Sequence, residues 1–149
     1  MMVKLLHSRK GFTLVELLVV IVVLAVLGAI VVPKFVGAGK TSKEAALRSD
    51  LQILRNAIQM FRSDTGYFPA ALADVGVTSA PAAGLDTTGT SKTILATDWK
   101  GPYVVSVPND PISAAAFTYV ATTAGDDPVG TVRSSSAATS TEGTAYNTW

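Results

Sequence analysis

The chain of 149 residues has no cysteine and a single histidine, His7. Without thiols no disulfide can staple a small domain and no thiolate can hold a metal. With only one histidine, close to the start, Ser-His-Asp and Cys-His triads and the common histidine zinc sites are excluded. Charge is sparse too: 15% of residues are charged, and twelve Lys and Arg against eleven Asp and Glu leave a formal net charge of +1. That balance makes no electrostatic case for nucleic acid as a partner. The acids are scattered, without the flanking pair that glycoside hydrolysis needs, and no Gly-rich loop stands between a strand and a helix to cradle phosphate. An enzyme is not expected.

Polarity is scarcest from Phe12 to Val32, where Thr13 and Glu16 carry the only polar side chains. Leu14 to Val32 is long enough for a helix to cross about 30 Å of hydrocarbon. The basic head before it, Met1 to Lys10 with Lys4, His7, Arg9 and Lys10, should stay cytoplasmic while the remainder is translocated. Two ordinary explanations compete. Gly37-Ala38-Gly39 could serve as a signal-peptide cleavage site, although the apolar run exceeds the usual core of about 7 to 15 residues. A permanent single-pass anchor, carrying a binding module whose ligand would dock on the Ala70 to Asp98 loop, is the other. It leaves Glu16 and the Gly11-Phe12 junction unexplained.

An ionisable residue in such a segment is costly unless it finds a partner. Glu16 has three candidate solutions. It can snorkel to the interface, being four residues inside the run. It can meet a lipid group or a water defect. It can also meet a new amino terminus at Phe12, were the chain cut after Gly11. Phe12 and Glu16 are only about 6 Å apart along a helix axis, so the ammonium of one subunit would meet the carboxylate of another staggered by about one turn. Pairing removes two desolvation penalties together and selects a register.

Gly28, Pro33, Gly37 and Gly39 weaken the helix and predict a kink or an unwound stretch between about Gly28 and Gly39. Beyond it Leu47, Leu51, Leu54, Ile58 and Phe61 form an apolar stripe on one helical face, expected to pack on its own domain. Asp64-Thr65-Gly66 supplies the stop, with Gly66 suited to a left-handed position. An unbroken helix from Phe12 to Asp64 would be about 80 Å long.

The chain after that helix divides into a loop over 66–98 with a short helical possibility at Ala70 to Val75, a β-sheet region over 99–134, and a Ser/Thr-rich tail over 135–149. Strands are expected at Val104 to Val107, Phe117 to Thr122 and Val129 to Ser134. The tail is expected to be flexible or an edge segment ending in aromatics. Asp110, Asp126 and Asp127 are hard oxygen donors on polar turns that could hold calcium, although no EF-hand spacing is present.

Lys10-Gly11-Phe12-Thr13-Leu14-Val15-Glu16-Leu17-Leu18-Val19-Val20, after its basic leader, resembles the type IV pilin and type II secretion pseudopilin family. The resemblance implies cleavage between Gly11 and Phe12 by a prepilin peptidase, N-methylation of Phe12, and a role for Glu16 in registering neighbouring subunits. Pro33 stands where such proteins commonly have a helix-breaking proline. Asp64-Thr65-Gly66-Tyr67-Phe68-Pro69, Trp99-Lys100-Gly101-Pro102-Tyr103 and Val107-Pro108-Asn109-Asp110-Pro111 look like landmarks of major pseudopilins, whose C-terminal calcium site points to Asp126 and Asp127. After Pro111 the pattern is lost.

The implied fold is α+β: a long N-terminal helix, half transmembrane and filament core, half amphipathic, packed on a small antiparallel sheet with a long αβ-loop. The implied domains are a cleaved leader (1–11), an assembly helix (12–39) and a globular head (40–149, with its amphipathic helix over 40–65). Once the leader is gone, nine basic residues face eleven acidic ones, a side-chain net charge of −2. The implied function is a structural subunit of a type II secretion pseudopilus, with a type IV pilus for adhesion, motility or DNA uptake as the alternative. Its partners would be copies of itself, the peptidase, an inner-membrane assembly platform with its ATPase, and minor pilins or pseudopilins. It would sit in the bacterial inner membrane as a precursor, head outside the cytoplasm, and then in a periplasmic or extracellular filament.

Overall fold

The computed structural model of the chain describes residues 11–123 and 127–149, with the side chains of 32–37 outside that description. One helix, α1 (Leu14–Thr65), runs for 52 residues. The chain divides into two compact units, the first ending at Gly39 and the second Lys40–Trp149.

In the first unit, Leu14–Val31 is long and apolar enough to cross a membrane, and none of it is buried against the rest of the chain. The backbone is helical through Gly28, Pro33, Gly37 and Gly39, so the unwound stretch expected there is not formed. Proline removes one amide from the helical ladder, and the adjoining turns keep theirs.

The second unit is built on the other half of α1. Leu47, Leu51, Leu54, Ile58 and Phe61 are all buried, which makes the stripe an intradomain core face. It packs with Phe68, Val75, Leu85, Ile94, Phe117, Val129, Val132 and Tyr146. Each such side chain contributes roughly 1.5–3 kcal/mol by leaving water. α1 ends as its residues dictate: Thr65 Oγ1 donates to the Phe61 carbonyl at 2.8 Å, and Gly66, at φ +78°, donates its amide to the Arg62 carbonyl at 2.8 Å.

The stretch 66–98, expected as a loop, contains a three-stranded antiparallel sheet. Its strands are β1 (Phe68–Pro69), β2 (Ala83–Leu85) and β3 (Ser91–Thr93), in the order β1-β2-β3, with Phe68 opposite Leu85 and Gly84 opposite Lys92. Strands of two and three residues carry no period-two signal. Their anchors are tertiary. A Cβ on Gly84 would stand 2.8 Å from the Phe68 carbonyl oxygen, so β2 can lie against β1 only with glycine there. The β2–β3 turn is organised by Asp86, whose carboxylate accepts the amides of Thr88 and Thr90 at 2.9 Å each. Between β1 and β2 a short 3-10 helix, Leu72–Val75, replaces the helical possibility at Ala70 to Val75.

In 99–134 the sheet is smaller than expected: β4 (Thr118–Tyr119) pairs antiparallel with β5 (Val132–Arg133). Both fall inside expected strands, but Val104 to Val107 is not one. The amides of Tyr103 and Val104 both donate to the Val75 carbonyl, at 2.9 and 3.2 Å, which ties this segment to the 3-10 helix. Tyr103 also sets its ring edge-on to Phe61, centroids 5.7 Å apart, and donates its hydroxyl to Asp64 at 2.9 Å.

The tail is neither loose nor an edge strand. Thr139 bridges to Ala145, Tyr146–Thr148 forms a second 3-10 turn, and Tyr146 is buried in the core. Its Ser and Thr hydroxyls read as solvent-loving in sequence. In the fold they bond to each other and to α1.

Candidate functional site

Gly11, Phe12 and Thr13 precede α1 in irregular, exposed backbone, with Phe12 77% exposed. A peptide bond outside a helix and open to solvent is one that a processing peptidase can grip. α1 begins at Leu14, and Thr13 caps it. Thr13 Oγ1 accepts the Glu16 amide at 3.2 Å, while the Glu16 carboxylate accepts the amide and hydroxyl of Thr13 at 3.4 Å each. This is a reciprocal capping box, and it sets a negative charge at the positive end of the helix dipole. A search only for a cation near Glu16 misses this partner; the Thr-x-x-Glu spacing is the signal that finds it. Among the described residues no cation pairs with Glu16. Its two 3.4 Å contacts leave most of its acceptor capacity open on an exposed apolar helix. Pro33 lies roughly 25 Å further along the same helix and shares no site with Glu16.

In the second unit two buried carboxylates act as clasps: Glu44, which the sequence did not mark, and Asp110, which the sequence offered as an oxygen donor for a cation. Glu44, 2% exposed, accepts the Thr141 amide at 2.7 Å, the Thr141 hydroxyl at 2.5 Å and the Tyr146 hydroxyl at 2.6 Å. It fastens the tail to α1. The hydrogen bonds from Thr141, then Tyr146, hold its carboxyl at about 2, below the usual 4.5. Burial, then Glu44, pushes the Tyr146 hydroxyl up from 10.0 to about 12. Asp110, fully buried, accepts the Ser134 hydroxyl at 2.5 Å and the amides of Ile112 and Ser135 at 2.8 and 3.0 Å. Burial pulls its pKa upward, but these bonds together outweigh it and leave the group below its ordinary value.

The linkage follows from these shifts. Glu44 binds its proton more weakly folded than unfolded, so its contribution is complete above about pH 4.5 and is lost as pH falls toward 2. Tyr146 binds its proton more tightly folded, so its contribution is complete below pH 10 and is lost toward pH 12. Circular-dichroism melts of the head should therefore peak between these limits. Glu44→Gln should lower Tm at pH 7 by roughly 5–10 °C, with the gap narrowing as pH falls below 4.5. Parallel profiles for the two proteins would refute the clasp.

Asp126 lies outside the described residues. Asp127 forms an ion pair with Arg133 across the β4–β5 turn, so its carboxylate already faces a cation. The oxygens of Asp110 face N–H and O–H donors. Among the described residues no group of three or more acidic, His or Cys side chains could hold a metal. Calcium takes six to eight oxygen ligands, and of the candidate donors the described residues show only Asp110 and Asp127, each already facing other partners. Melting the head with calcium and with a chelator decides the matter: an unchanged midpoint removes the ion, and a rise with calcium supports it.

The family model described as the prokaryotic N-terminal methylation motif matches residues 6–32. That described as type II secretion system (T2SS), protein G matches residues 34–147, more than half of the chain. The chain belongs to the T2SS protein G family. The type II secretion system core protein G of Escherichia coli is 31% identical over 109 residues, covering 69% of this chain and 75% of that one. That of Klebsiella pneumoniae is 38% identical over 64 residues, 43% of this chain and 46% of that protein, so the match spans under half of its length. The type IV wide pilus major component of Thermus thermophilus is 32% identical over 80 residues, 52% of this chain and 61% of that one. No solved structure matches at a significant level. Within this T2SS protein G family member, the methylation match holds Gly11, Phe12 and Glu16, and the protein G match holds Glu44, Asp110 and Asp127. Pro33 falls between the two.

Proposed function

We propose that the chain is the major subunit of a type II secretion pseudopilus, polymerising through α1 after its leader is removed. The observation that carries this reading is the exposed apolar helix Leu14–Val31, opened by the Thr13–Glu16 box and preceded by a non-helical Gly11-Phe12 bond. An apolar surface of that length with no cover in its own chain requires a membrane first and neighbouring helices afterwards. The precursor sits in the inner membrane with Lys40–Trp149 outside the cytoplasm. A prepilin peptidase cuts between Gly11 and Phe12 and methylates Phe12. An assembly platform with its ATPase, together with minor pseudopilins, then extracts each subunit into the filament. The work is mechanical, and no catalysis is assigned to the chain.

In the precursor Glu16 caps its own helix. Cutting exposes an ammonium at Phe12, which attracts that carboxylate from an adjacent subunit and sets the stagger. Heterologous contacts between identical subunits make an open filament. The likeness to the Thermus wide pilus component favours a type IV pilus as the second reading. Mass spectrometry of the mature protein tests processing: the expected terminus is N-methylated Phe12, and an intact Met1 or a start near Lys40 would sink the proposal.

A further inference from the structure

Arg48, Arg55 and Arg62 recur every seven residues on α1, so they share one helix face over about 21 Å. Two grooves run beside that face. One, of about 430 Å³, is bordered by Arg48, Arg55 and Trp149. The other, of about 380 Å³, lies between Arg55, Arg62 and a floor that includes Phe68 and Val132. Arg48 is paired with Glu142 at 2.5 Å. Arg55 donates to the carbonyl oxygens of Val132, at 3.3 Å, and Trp149, while Arg62 lies 4.4 Å over the Phe68 ring. Among the described residues Arg62 has no carboxylate partner, whereas Arg55 is already held by the oxygens of Val132 and Trp149. The second groove thus has an apolar floor and, in Arg62, one cationic rim with no carboxylate partner among the described residues.

The same unit carries a turn of opposite character. The Asp98 amide donates to the Leu95 carbonyl at 3.0 Å, closing the turn Leu95–Asp98. Leu95 is 64% exposed. The Asp98 carboxylate accepts only the adjoining Thr97 hydroxyl, at 3.3 Å, and makes no ion pair among the described residues. Other acids of this region are already held: Asp64 by Tyr103, Asp74 by the Ala71 amide, and Asp86 by its own turn.

We propose that the groove beside Arg62 receives the Leu95–Asp98 turn of a second copy of the chain, with Leu95 on the apolar floor and Asp98 against the Arg62 guanidinium. The occupant is a copy because its chemistry matches on both counts, an exposed aliphatic side chain and an uncommitted carboxylate on one turn. Groove and turn are different patches, so the contact is head-to-tail and propagates. It rests on the filament reading, in which tethering by α1 raises the effective concentration of one head near the next. Charge complementarity would fix which faces meet.

The test uses the full chain, assembled in cells by its own machinery. Asp98→Arg is expected to reduce sheared filament about tenfold at unchanged membrane level, and adding Arg62→Glu in the same chain to recover most of it. The chain has no cysteine of its own. Filaments carrying Leu95→Cys with Thr131→Cys, a residue lining the groove, should therefore give a disulfide-linked ladder on oxidation. Normal filament yield from Asp98→Arg, no recovery with Arg62→Glu, or no ladder would each overturn the docking. Absence of any filament from the unaltered chain would instead overturn the filament reading, and the docking with it.

Discussion

Glu16→Gln is expected to leave membrane insertion intact and to cut filament yield at least about tenfold. Glutamine keeps the length of the side chain and can occupy the third helical position of a capping box as glutamate does, so the start of α1 at Leu14 should be preserved. Only the charge is lost. If the carboxylate meets the Phe12 ammonium of a neighbour, removing it strands a cation in an apolar stem, at a cost of roughly 3–5 kcal/mol per contact. Glu16→Ala removes the cap as well and should be no better. The readouts are the membrane fraction for insertion and sheared filament for assembly. Glu16→Gln filaments as abundant as those of the unaltered chain would assign the carboxylate to capping alone.

The second large effect belongs to the head. Phe61→Ala is expected to destabilise it by about 3–5 kcal/mol, much of the 5–15 kcal/mol typical of a domain. Phe61 is fully buried at the C-terminal end of the stripe, and its ring supports Tyr103, whose hydroxyl joins Asp64 at the end of the helix. The cavity would loosen α1 from the 99–104 segment together with the lost apolar contact. Urea denaturation of the head should show a lower midpoint with an unchanged slope. Met60→Ala, one residue away on the exposed face, should stay within about 0.5 kcal/mol. A Phe61→Ala loss no larger than that of Met60→Ala would show that the stripe is not the core.

Legibility followed the range of the interactions. The stripe from Leu47 to Phe61 and the stop at Gly66 depend on helix periodicity and one backbone angle, which neighbouring residues express directly. The Thr13–Glu16 box was equally local and needed only the right question. β1 to β3 were hidden because their strands are two or three residues long and depend on the approach of Gly84 to Phe68, 16 residues earlier in the chain. The tail was misjudged because its hydroxyls answer to Glu44, nearly a hundred residues away. The Arg133 partner of Asp127 is likewise set by the fold, six residues along the chain and on β5.

By itself the sequence determined that there is a membrane-length apolar helix, which residues precede it, and which face of its second half is buried. These are one-dimensional properties, set by composition and a 3.6-residue period. Only the tertiary structure decided that Glu44 and Asp110 carry the polar architecture of the head, that Arg62 lacks a carboxylate partner among the described residues, and that Leu95 and Asp98 stand on one turn. The physical reason is that a hydrogen bond or ion pair is a relation between two positions. Burial fixes its energetic weight, and burial is known only once the chain has closed on itself.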